Sequence, residues 1–476
     1  MKHAAQKQKS SVFYKAMLAR DPRFDGKFFV GVKTTGVYCR PICPAKPKRE
    51  NVEFFSSHVE AEHAGYRPCL RCRPESAPRS PAWIGTSALV RRAVRVLNSD
   101  HTLEFNEESF AEQFGVSSRH LRRLFTDEIG KTPKQLFLEN RLGLARKLLG
   151  ETSLPMTEIA HASGFKSVRR FNDAFKDRFH RTPSEVRRQR SNRDPGLEVT
   201  LSYRPPFDFK GLLESYRKHQ VGNLEWFEDD RMFRVVETNG KIGTIEISDD
   251  PENSRLRLKI DVTDLSMLHG LIARVRSLFD LDSDPLLVAE SAEKVPSIRK
   301  LLGKSPGIRL PSGWDAFEIS ISTILGQLVT VERGRKLVHQ LIELLGQDTG
   351  LVREGQKIKL FPTPDEIAQS DLEGLGTTGA RKQALRAFAA AVRDGQVSLE
   401  PTQDVEEFMA SLLAIRGIGR WTADYMALKV LRDTDSFPAT DLILARAIEK
   451  RPKDFLHAMR PWRGYAAALI WRHGHR

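Results

Sequence analysis

All four cysteines of this 476-residue chain fall within one short stretch near its N-terminus. Cys39, Cys43, Cys69 and Cys72 follow the spacing C-x3-C-x25-C-x2-C. Two close pairs of thiols separated by a loop supply the four tetrahedral ligands that zinc prefers. The pattern therefore predicts one Zn²⁺ ion held by these four side chains.

The predicted zinc site has two interpretations. Most four-cysteine sites are structural, and the spacing alone favours that role. The cations around the first pair, Arg40, Lys46, Lys48 and Arg49, are in addition suited to a phosphate backbone. Thiolates bound to zinc stay ionised at neutral pH and remain nucleophilic, so a reactive site is the alternative.

The net positive charge of the chain comes from its first part. Residues 1–200 contain 37 Lys and Arg against 22 Asp and Glu, whereas residues 201–476 contain 39 of each kind. The net charge of +15 therefore lies entirely in the first 200 residues, which indicates a nucleic-acid partner for that part. The length suggests about three domains. No apolar run approaches the roughly 18 residues of a membrane span, so we expect a cytoplasmic, nucleoid-associated protein without a membrane partner.

Two helix-turn-helix patterns follow the cysteines. Each contains a short helix, a glycine turn and a second helix, over residues 110–125 and 159–176, and each is followed by a Thr-Pro pair. Periodicity predicts a preceding helix at 86–98 and a connecting helix at about 133–149. The second helix of such a unit can enter the major groove. The candidate DNA-contacting residues are Ser118, Arg119, Arg122, Lys166, Arg169 and Arg170. A solvated helix face is the other interpretation of these arginines.

The second part of the chain begins with strands and continues with helices. Alternating apolar residues predict strands at 233–236, 242–247 and 256–262, and helices follow from Val275 onward. We expect a small α+β layer and then an all-helical body. Within that body, Gly417-Ile418-Gly419 has the form of a helix-hairpin-helix turn, whose backbone N–H groups can contact a phosphate. Asp441 follows about twenty residues later, near a predicted helix start.

The first part of the chain resembles two known families. The runs Thr34–Pro41 and Arg67-Pro68-Cys69 resemble the N-terminal domain of Ada proteins over about residues 10–75. In that family the cysteine matching Cys39 accepts a methyl group from a DNA methylphosphotriester. The tandem helix-turn-helix units resemble the AraC-type DNA-binding domain. Together these resemblances imply an irreversible methyl acceptor that also activates transcription, with promoter DNA and RNA polymerase as partners.

The second part resembles the AlkA branch of the helix-hairpin-helix DNA glycosylases over about residues 200–473. The resemblance rests on the hairpin, on Ile324–Val329, on Phe361–Pro364 and on Arg460–Arg463. It implies that Asp441 is the catalytic carboxylate and that excised bases are alkylated. The implied binding residues are the wedge Leu328 with Gln327, the hairpin Gly417, Ile418 and Gly419, and the pocket aromatics Tyr425, Trp471 and Trp421. Ordinary roles remain open for these residues, a helix cap for Asp441 and core packing for Leu328 and the aromatics.

Two absences sharpen the expected chemistry. Trp421 occupies the position where lyase-competent members of the superfamily have a lysine, which implies hydrolysis of the glycosidic bond without strand cleavage. No cysteine lies beyond Cys72, so we expect no iron–sulfur cluster.

The fold class that we expect is multidomain and mainly α, with small α+β parts. The expected domains are a zinc-binding α+β module at 1–78, an AraC-type double helix-turn-helix domain at 84–192, a glycosylase N-terminal α+β subdomain at 199–310 and a helix-hairpin-helix catalytic domain at 311–476. Two alternatives to the combined function remain. One is a regulator whose glycosylase-like part only scans double-stranded DNA, and the other is a glycosylase tethered to DNA by an inert zinc module.

Overall fold

The computed structural model describes most of the chain, in two compact units that comprise residues 1–196 and 197–476. The described residues are 13–20, 24, 28–56, 58–69, 72, 74, 88–99, 105–152, 154–188, 197–238, 240–263, 268–400, 403–450 and 455–473. The sequence also predicts a proline-rich linker at 73–81 and a change of composition after residues 193–196. Apart from Pro74, both segments lie outside the described residues.

A short helix at residues 13–19 precedes a small sheet that carries the cysteines. Its strands are β1 (Phe29–Val32), β2 (Val37–Cys39), β3 (Val52–Phe55) and β4 (Arg67–Pro68), in the order β3-β1-β2-β4, and helix α1 (His58–His63) packs against them. Strands β2 and β4 run parallel, with Tyr38 opposite Pro68. Because parallel strands end at the same edge, Cys39 at the end of β2 and Cys69 just after β4 lie side by side.

A helical domain completes the first unit. Its helices are α2 (Ala88–Ser99), α3 (Glu107–Glu112), α4 (Ser118–Ile129), α5 (Pro133–Glu151), α6 (Met156–Ala162), α7 (Val168–Phe179) and α8 (Pro183–Arg188). The predicted helices at 86–98 and 133–149 correspond to α2 and α5.

Each helix-turn-helix unit is closed by local sequence signals. Gly115 and Gly164 adopt left-handed φ angles of 67° and 79° in the two turns, a conformation that favours glycine. The hydroxyls of Ser117 and Ser167 then cap α4 and α7 by accepting backbone N–H bonds from the first turn. The matched turns and caps place the N-terminal ends of α4 and α7 equivalently in the two units.

The second unit opens with a five-stranded antiparallel sheet. Its strands are β5 (Leu197–Ser202), β6 (Glu225–Glu228), β7 (Arg231–Thr238), β8 (Lys241–Asp250) and β9 (Arg255–Asp261), in the order β5-β9-β8-β7-β6. The three predicted strands correspond to β7, β8 and β9. Helix α9 (Phe209–Lys218) lies between β5 and β6 in the chain and was missed, although Phe209, Leu212, Leu213 and Tyr216 have helical spacing and are all buried.

The remainder of the second unit is largely helical. Its helices are α10 (Leu268–Leu278), α11 (Pro285–Ala292), α12 (Pro296–Lys304), α13 (Ala316–Leu325), α14 (Val331–Leu345), α15 (Pro364–Gln369), α16 (Gly379–Arg393), α17 (Val405–Leu413), α18 (Arg420–Lys429), α19 (Leu442–Glu449), α20 (Phe455–Ala458) and α21 (Arg463–His473). The expectation of an all-helical body was wrong in one place. Strands β10 (Asp348–Arg353) and β11 (Gln356–Lys359) form a hairpin, because Glu354 and Gly355 both take positive φ angles in the turn between them.

A buried ion-pair cluster joins the sheet of the second unit to α13. Arg234 on β7 is 3% exposed and donates hydrogen bonds to Glu225 on β6 and to Glu318 on α13, the latter with Nη2–Oε2 at 2.6 Å. Removing one partner from such a cluster would leave a buried charge uncompensated. The cluster therefore fixes α13, whose C-terminal end leads directly into Gln327 and Leu328. Among the helices of the described residues, none has both the length and the apolar character needed to cross a membrane.

Candidate active sites and DNA-binding surfaces

The four cysteines converge on one point in the first unit. Their Sγ atoms all lie within 4.8 Å of one another, and Cys39, Cys43 and Cys69 are buried while Cys72 is partly exposed. This is a suitable set of soft donors for a tetrahedral ion.

Four thiols so close together form a donor set that fits a divalent cation, and they also hydrogen-bond one another. Hydrogen bonding to Cys43 raises the pKa of Cys39, and bonding to Cys39 raises the pKa of Cys72. Bonding to Cys39 lowers the pKa of Cys43 and of Cys69. The pKa values of neighbouring thiols are thus pushed in opposite directions, because the thiols compete for protons. A divalent cation among the sulfurs removes this competition because every thiolate then has a positive partner.

Backbone N–H groups stabilise three of the sulfurs. The N–H of Arg40 donates to Cys72 Sγ with N–S at 3.3 Å. Hydrogen bonding to Cys39 is the main cause of the lowered pKa of Cys43 and of Cys69, and the backbone N–H groups of Ala45 and Cys72, respectively, lower it further. A hydrogen bond to a thiolate draws negative charge from the sulfur. Cys43, Cys69 and Cys72 are therefore suited to the role of holding ligands.

The candidate DNA-contacting residues lie at the beginning of α4 and α7. Arg119, Arg169 and Arg170 are exposed in the first turns, Lys166 is exposed just before the cap of α7, and Ser118 is partly buried. Arg122, one turn along α4, is differently placed. Its guanidinium forms a fork with Glu107, with Nε–Oε1 at 2.9 Å and Nη2–Oε2 at 2.6 Å.

In the second unit, Asp441 is held by two indole groups. It caps α19, and its Oδ1 accepts backbone N–H bonds from Ile443 at 3.0 Å and Leu444 at 3.2 Å. The same Oδ1 accepts a bond from Trp471 Nε1 at 3.0 Å, while Oδ2 accepts one from Trp421 Nε1 at 3.2 Å. The helix-cap interpretation of Asp441 is thus correct but incomplete, since the carboxylate is also fixed from the side of the aromatic residues.

The three predicted pocket aromatics lie together around this carboxylate. Trp421 stacks on Tyr425 with ring centroids 5.3 Å apart, and Tyr425 contacts Trp471 at 5.8 Å. Burial and then the negative charge of Asp441 raise the pKa of Tyr425 to about 12, so its hydroxyl stays protonated. The arrangement is an aromatic wall with one carboxylate at its edge. All three rings are partly exposed.

Gln327 and Leu328 differ sharply in orientation. Leu328 is 102% exposed and has a φ of +53°, so it is not a core leucine. Gln327 instead donates through Nε2 to Gly417 O at 3.2 Å and to Thr422 Oγ1 at 2.8 Å. Arg381 donates to the carbonyl of Gln327. The loop that exposes Leu328 is therefore tied to the hairpin by its neighbour.

The hairpin turn presents the start of α18. Gly417 has a φ of +96°, and a Cβ built there would lie 2.8 Å from Ala384 Cβ, so this position requires glycine. Ile418 is buried and anchors the turn. Gly419 precedes α18 without a side-chain cap, which leaves the first N–H groups of that helix suited to an external anion.

Lys429 is a residue that the sequence interpretation missed. Its Nζ lies 5.6 Å from the centroid of the Tyr425 ring and donates to Pro311 O at 2.6 Å. Burial, and then repulsion by Arg432, lowers the pKa of Lys429 to about 7. The signal for this residue was its spacing, because Trp421, Tyr425 and Lys429 are four residues apart and share one face of α18.

Family models match three segments of the chain. These are the metal binding domain of Ada over residues 12–75, a helix-turn-helix domain over residues 110–189 and the AlkA N-terminal domain over residues 198–315. Among solved structures, the 3-methyladenine DNA-glycosylase from Archaeoglobus fulgidus is similar to 58% of this chain and 98% of its own, with a TM-score of 0.50 and 16% identity. At that identity the likeness shows the fold alone.

Two relatives extend these matches. A probable bifunctional transcriptional activator/DNA repair enzyme AlkA from Mycobacterium tuberculosis (strain ATCC 25618 / H37Rv) is 34% identical over 475 residues, covering 96% of this chain and 95% of the relative. The DNA-3-methyladenine glycosylase 2 of Escherichia coli (strain K12) is 29% identical over 279 residues, covering 57% of this chain and 96% of that protein.

The fold and the sites define a DNA-binding protein of the repair class, with a four-cysteine zinc-binding domain, a helix-turn-helix domain and a glycosylase-like fold. The chain belongs to the family of bifunctional transcriptional activators and DNA repair enzymes of the Ada/AlkA type. The predicted resemblance to Ada, to a helix-turn-helix domain and to AlkA is confirmed.

Proposed function

We propose that the second unit removes alkylated bases from DNA by hydrolysis of the N-glycosidic bond. The observation that carries this proposal is the Asp441 carboxylate, which is fixed by the Trp421 and Trp471 indoles beside an aromatic wall. When the base leaves with the bonding electrons, positive charge develops on the sugar, and a fixed carboxylate stabilises it. Water then adds to C1′ and loses a proton. Alkylated purines carry positive charge, which favours stacking on aromatic faces.

Leu328 and the hairpin support access to the base. An enzyme of this kind must extrude the nucleotide from the duplex, and an apolar wedge offsets part of the unstacking cost. Leu328 projects fully into solvent, as a wedge must, while Gln327 positions it against the hairpin. Gly417, Ile418 and Gly419 then present backbone N–H groups to a phosphate. We therefore assign Leu328 to the wedge and Gln327 to its positioning.

The test of this assignment is base release by an Asp441→Asn variant. We expect release of methylated adenine from alkylated duplex DNA to fall by about 100-fold or more, as when a group that stabilises transition-state charge is lost. Asp404→Asn is the matched control, because Asp404 also caps a helix of the second unit. Equal release by both variants would contradict the role of Asp441. Absence of release by the wild type would favour the alternative of a DNA-scanning regulator.

For the first unit we propose irreversible methyl transfer from a DNA methylphosphotriester to Cys39. The methyl carbon forms a bond to Cys39 Sγ, its bond to the phosphate oxygen breaks, and the oxygen keeps the electron pair as a phosphodiester anion. Zn²⁺ supplies ionisation of all four thiols at neutral pH. Cys43, Cys69 and Cys72 accept backbone N–H bonds, which supports Cys39 as the nucleophile. Loss of one negative charge then increases affinity for DNA, which makes the reaction a switch for transcription through RNA polymerase.

Intact-mass and peptide mass spectrometry test the methyl transfer. After incubation with a duplex that carries a methylphosphotriester, we expect one CH₂ increment of mass, located on the peptide that contains Cys39. Undamaged duplex is the control and should add nothing. No increment, or an increment on another cysteine, would contradict the assignment and favour a structural zinc site.

A further inference from the structure

Glu62 joins the cysteine-bearing sheet to the helix-turn-helix domain. It lies on α1, is 15% exposed, and contacts residues of both parts. Arg178, in the last turn of α7, donates to Glu62 Oε1 at 2.8 Å, and Lys131 Nζ lies 3.0 Å from Oε2. Lys131 follows directly on Gly130, the residue that ends α4. The C-terminal ends of both candidate DNA-reading helices therefore meet at one carboxylate.

The cluster around Glu62 is neutral and largely buried. Glu139 on α5 supplies the second carboxylate, 2.8 Å from Lys131 Nζ and 3.2 Å from Arg178 Nη2. Lys131 is 7% exposed and Arg178 is 23% exposed. Two carboxylates and two cations thus compensate one another away from bulk solvent. Such a cluster holds one geometry, since a partner that moves away leaves a buried charge behind.

Glu62 also contacts the strand that carries the candidate methyl acceptor. Tyr38, which immediately precedes Cys39, is 2% exposed, and its hydroxyl donates to Glu62 Oε1 at 2.6 Å. Strand β4, which leads into Cys69, packs against α7. A hydrogen bond and a packed strand therefore connect the zinc-binding strands to the second helix-turn-helix unit.

We propose that Glu62 is a positioning residue that transmits the methylation state of Cys39 to the ends of α4 and α7. This inference rests on the proposed methyl transfer and extends it to its regulation. Methylation changes the charge and the size of the Cys39 sulfur at the end of β2. Tyr38 moves with that strand, its bond to Glu62 adjusts, and Arg178 and Lys131 follow. Methylation would then act on DNA binding in two ways. It increases the electrostatic attraction to DNA, and it changes the positions of α4 and α7.

Hydrogen exchange of the full, zinc-loaded chain tests the transmission. After reaction with a methylphosphotriester duplex, we expect wild type to change its amide exchange near Lys131 and at the end of α7. Tyr38→Phe should take up the methyl group but lose this change, because only the hydroxyl link is removed. Its gain in affinity for undamaged duplex on methylation should be smaller than that of wild type by about fivefold or more. Glu53→Gln is the matched control, since Glu53 binds Tyr66 and Lys33 within the same sheet.

Thermal unfolding tests the junction without any methyl transfer. We expect Glu62→Gln to separate the melting of the cysteine-bearing sheet from that of the helical domain, while Glu53→Gln melts like wild type. Identical melting of Glu62→Gln and wild type would contradict the role of Glu62 in joining the sheet to the helical domain. Methyl uptake with the same exchange response in Tyr38→Phe and wild type would overturn the transmission alone. No methyl uptake by wild type would overturn both the transmission and the proposed methyl transfer.

Discussion

At the residue scale, the chemistry that we propose for the second unit depends on how the carboxylate of Asp441 is held. The place of Asp441 after the hairpin made it a candidate catalytic residue, and the predicted helix start made it a candidate helix cap. Its two indole donors could not, because Trp421 and Trp471 lie 20 and 30 residues away in sequence and meet it only in the folded chain. Both tryptophans were expected as pocket walls, and the structure adds a hydrogen-bonding role to each.

Trp421→Phe and Trp471→Phe should each slow base release while preserving an aromatic surface. Hydrogen bonds to charged groups contribute about 1.5–3 kcal/mol, so we expect a loss of roughly tenfold to 100-fold in single-turnover rate. Tyr425→Phe is the control, since it leaves both indole donors in place and should change the rate little. Equal effects of all three variants would indicate that only ring packing matters.

Lys429 should make the stability of the second unit depend on pH. Its pKa is lowered to about 7 in the folded state, so between that value and its ordinary value of 10.5 the unfolded chain binds more protons. Stability contributed by Lys429 therefore rises as pH increases from 7 towards 10. Denaturant unfolding across this range should show wild type gaining stability relative to Lys429→Met. A constant difference between the two proteins would contradict the lowered pKa.

At the element scale, features set by neighbouring residues could be predicted from the sequence, whereas features set by tertiary contacts could not. The helix-turn-helix units were predictable because each glycine turn and serine cap depends only on residues that are close together in sequence. The β10–β11 hairpin was missed because its short strands carry many exposed polar side chains, which alternate weakly. The inward orientation of Gln327 was also beyond prediction, since its partners Gly417 and Thr422 lie about ninety residues away.

Leu328→Ala should separate activity from stability. The side chain is fully exposed, so its removal creates no cavity, and we expect an unchanged melting temperature. Base release from a well-paired site should slow, whereas release from a mismatched site should slow less, because unstacking costs less there. The measurement is the ratio of rates on the two substrates. An unchanged ratio would argue against a wedge.

At the scale of the whole molecule, the two compact units separate the two proposed chemistries. The four cysteines lie in the first unit, and Asp441 lies in the second. The net charge divides at nearly the same place, since the net +15 resides in residues 1–200 and the first unit ends at residue 196. One chain therefore combines a cationic part, which is attracted to any DNA, with a part of nearly zero net charge, for which we propose base excision.

Removal of zinc should affect only one of the two activities. We expect a chelator to abolish methyl uptake and to unfold the cysteine-bearing sheet, because structural zinc sites couple binding to folding. Release of methylated adenine at saturating protein should persist. Parallel assays on chelated and zinc-restored protein check this expectation. Loss of both activities, restored together by zinc, would show that the units depend on one another.

The fork between Arg122 and Glu107 has a consequence for how the helix-turn-helix domain engages DNA. The Glu107 carboxylate accepts two hydrogen bonds from the Arg122 guanidinium, as a DNA phosphate could. In the free protein, Glu107 therefore takes the place of a DNA phosphate. If Arg122 contacts DNA as the sequence predicts, its guanidinium must exchange the Glu107 carboxylate for a phosphate. Binding of α4 to DNA would therefore include the cost of breaking an ion pair. The exposed Arg169 and Arg170 of α7 carry no such cost. We expect α7 to bind DNA first. We expect α4 to bind only at sites where its contacts with DNA offset the loss of the Arg122–Glu107 ion pair.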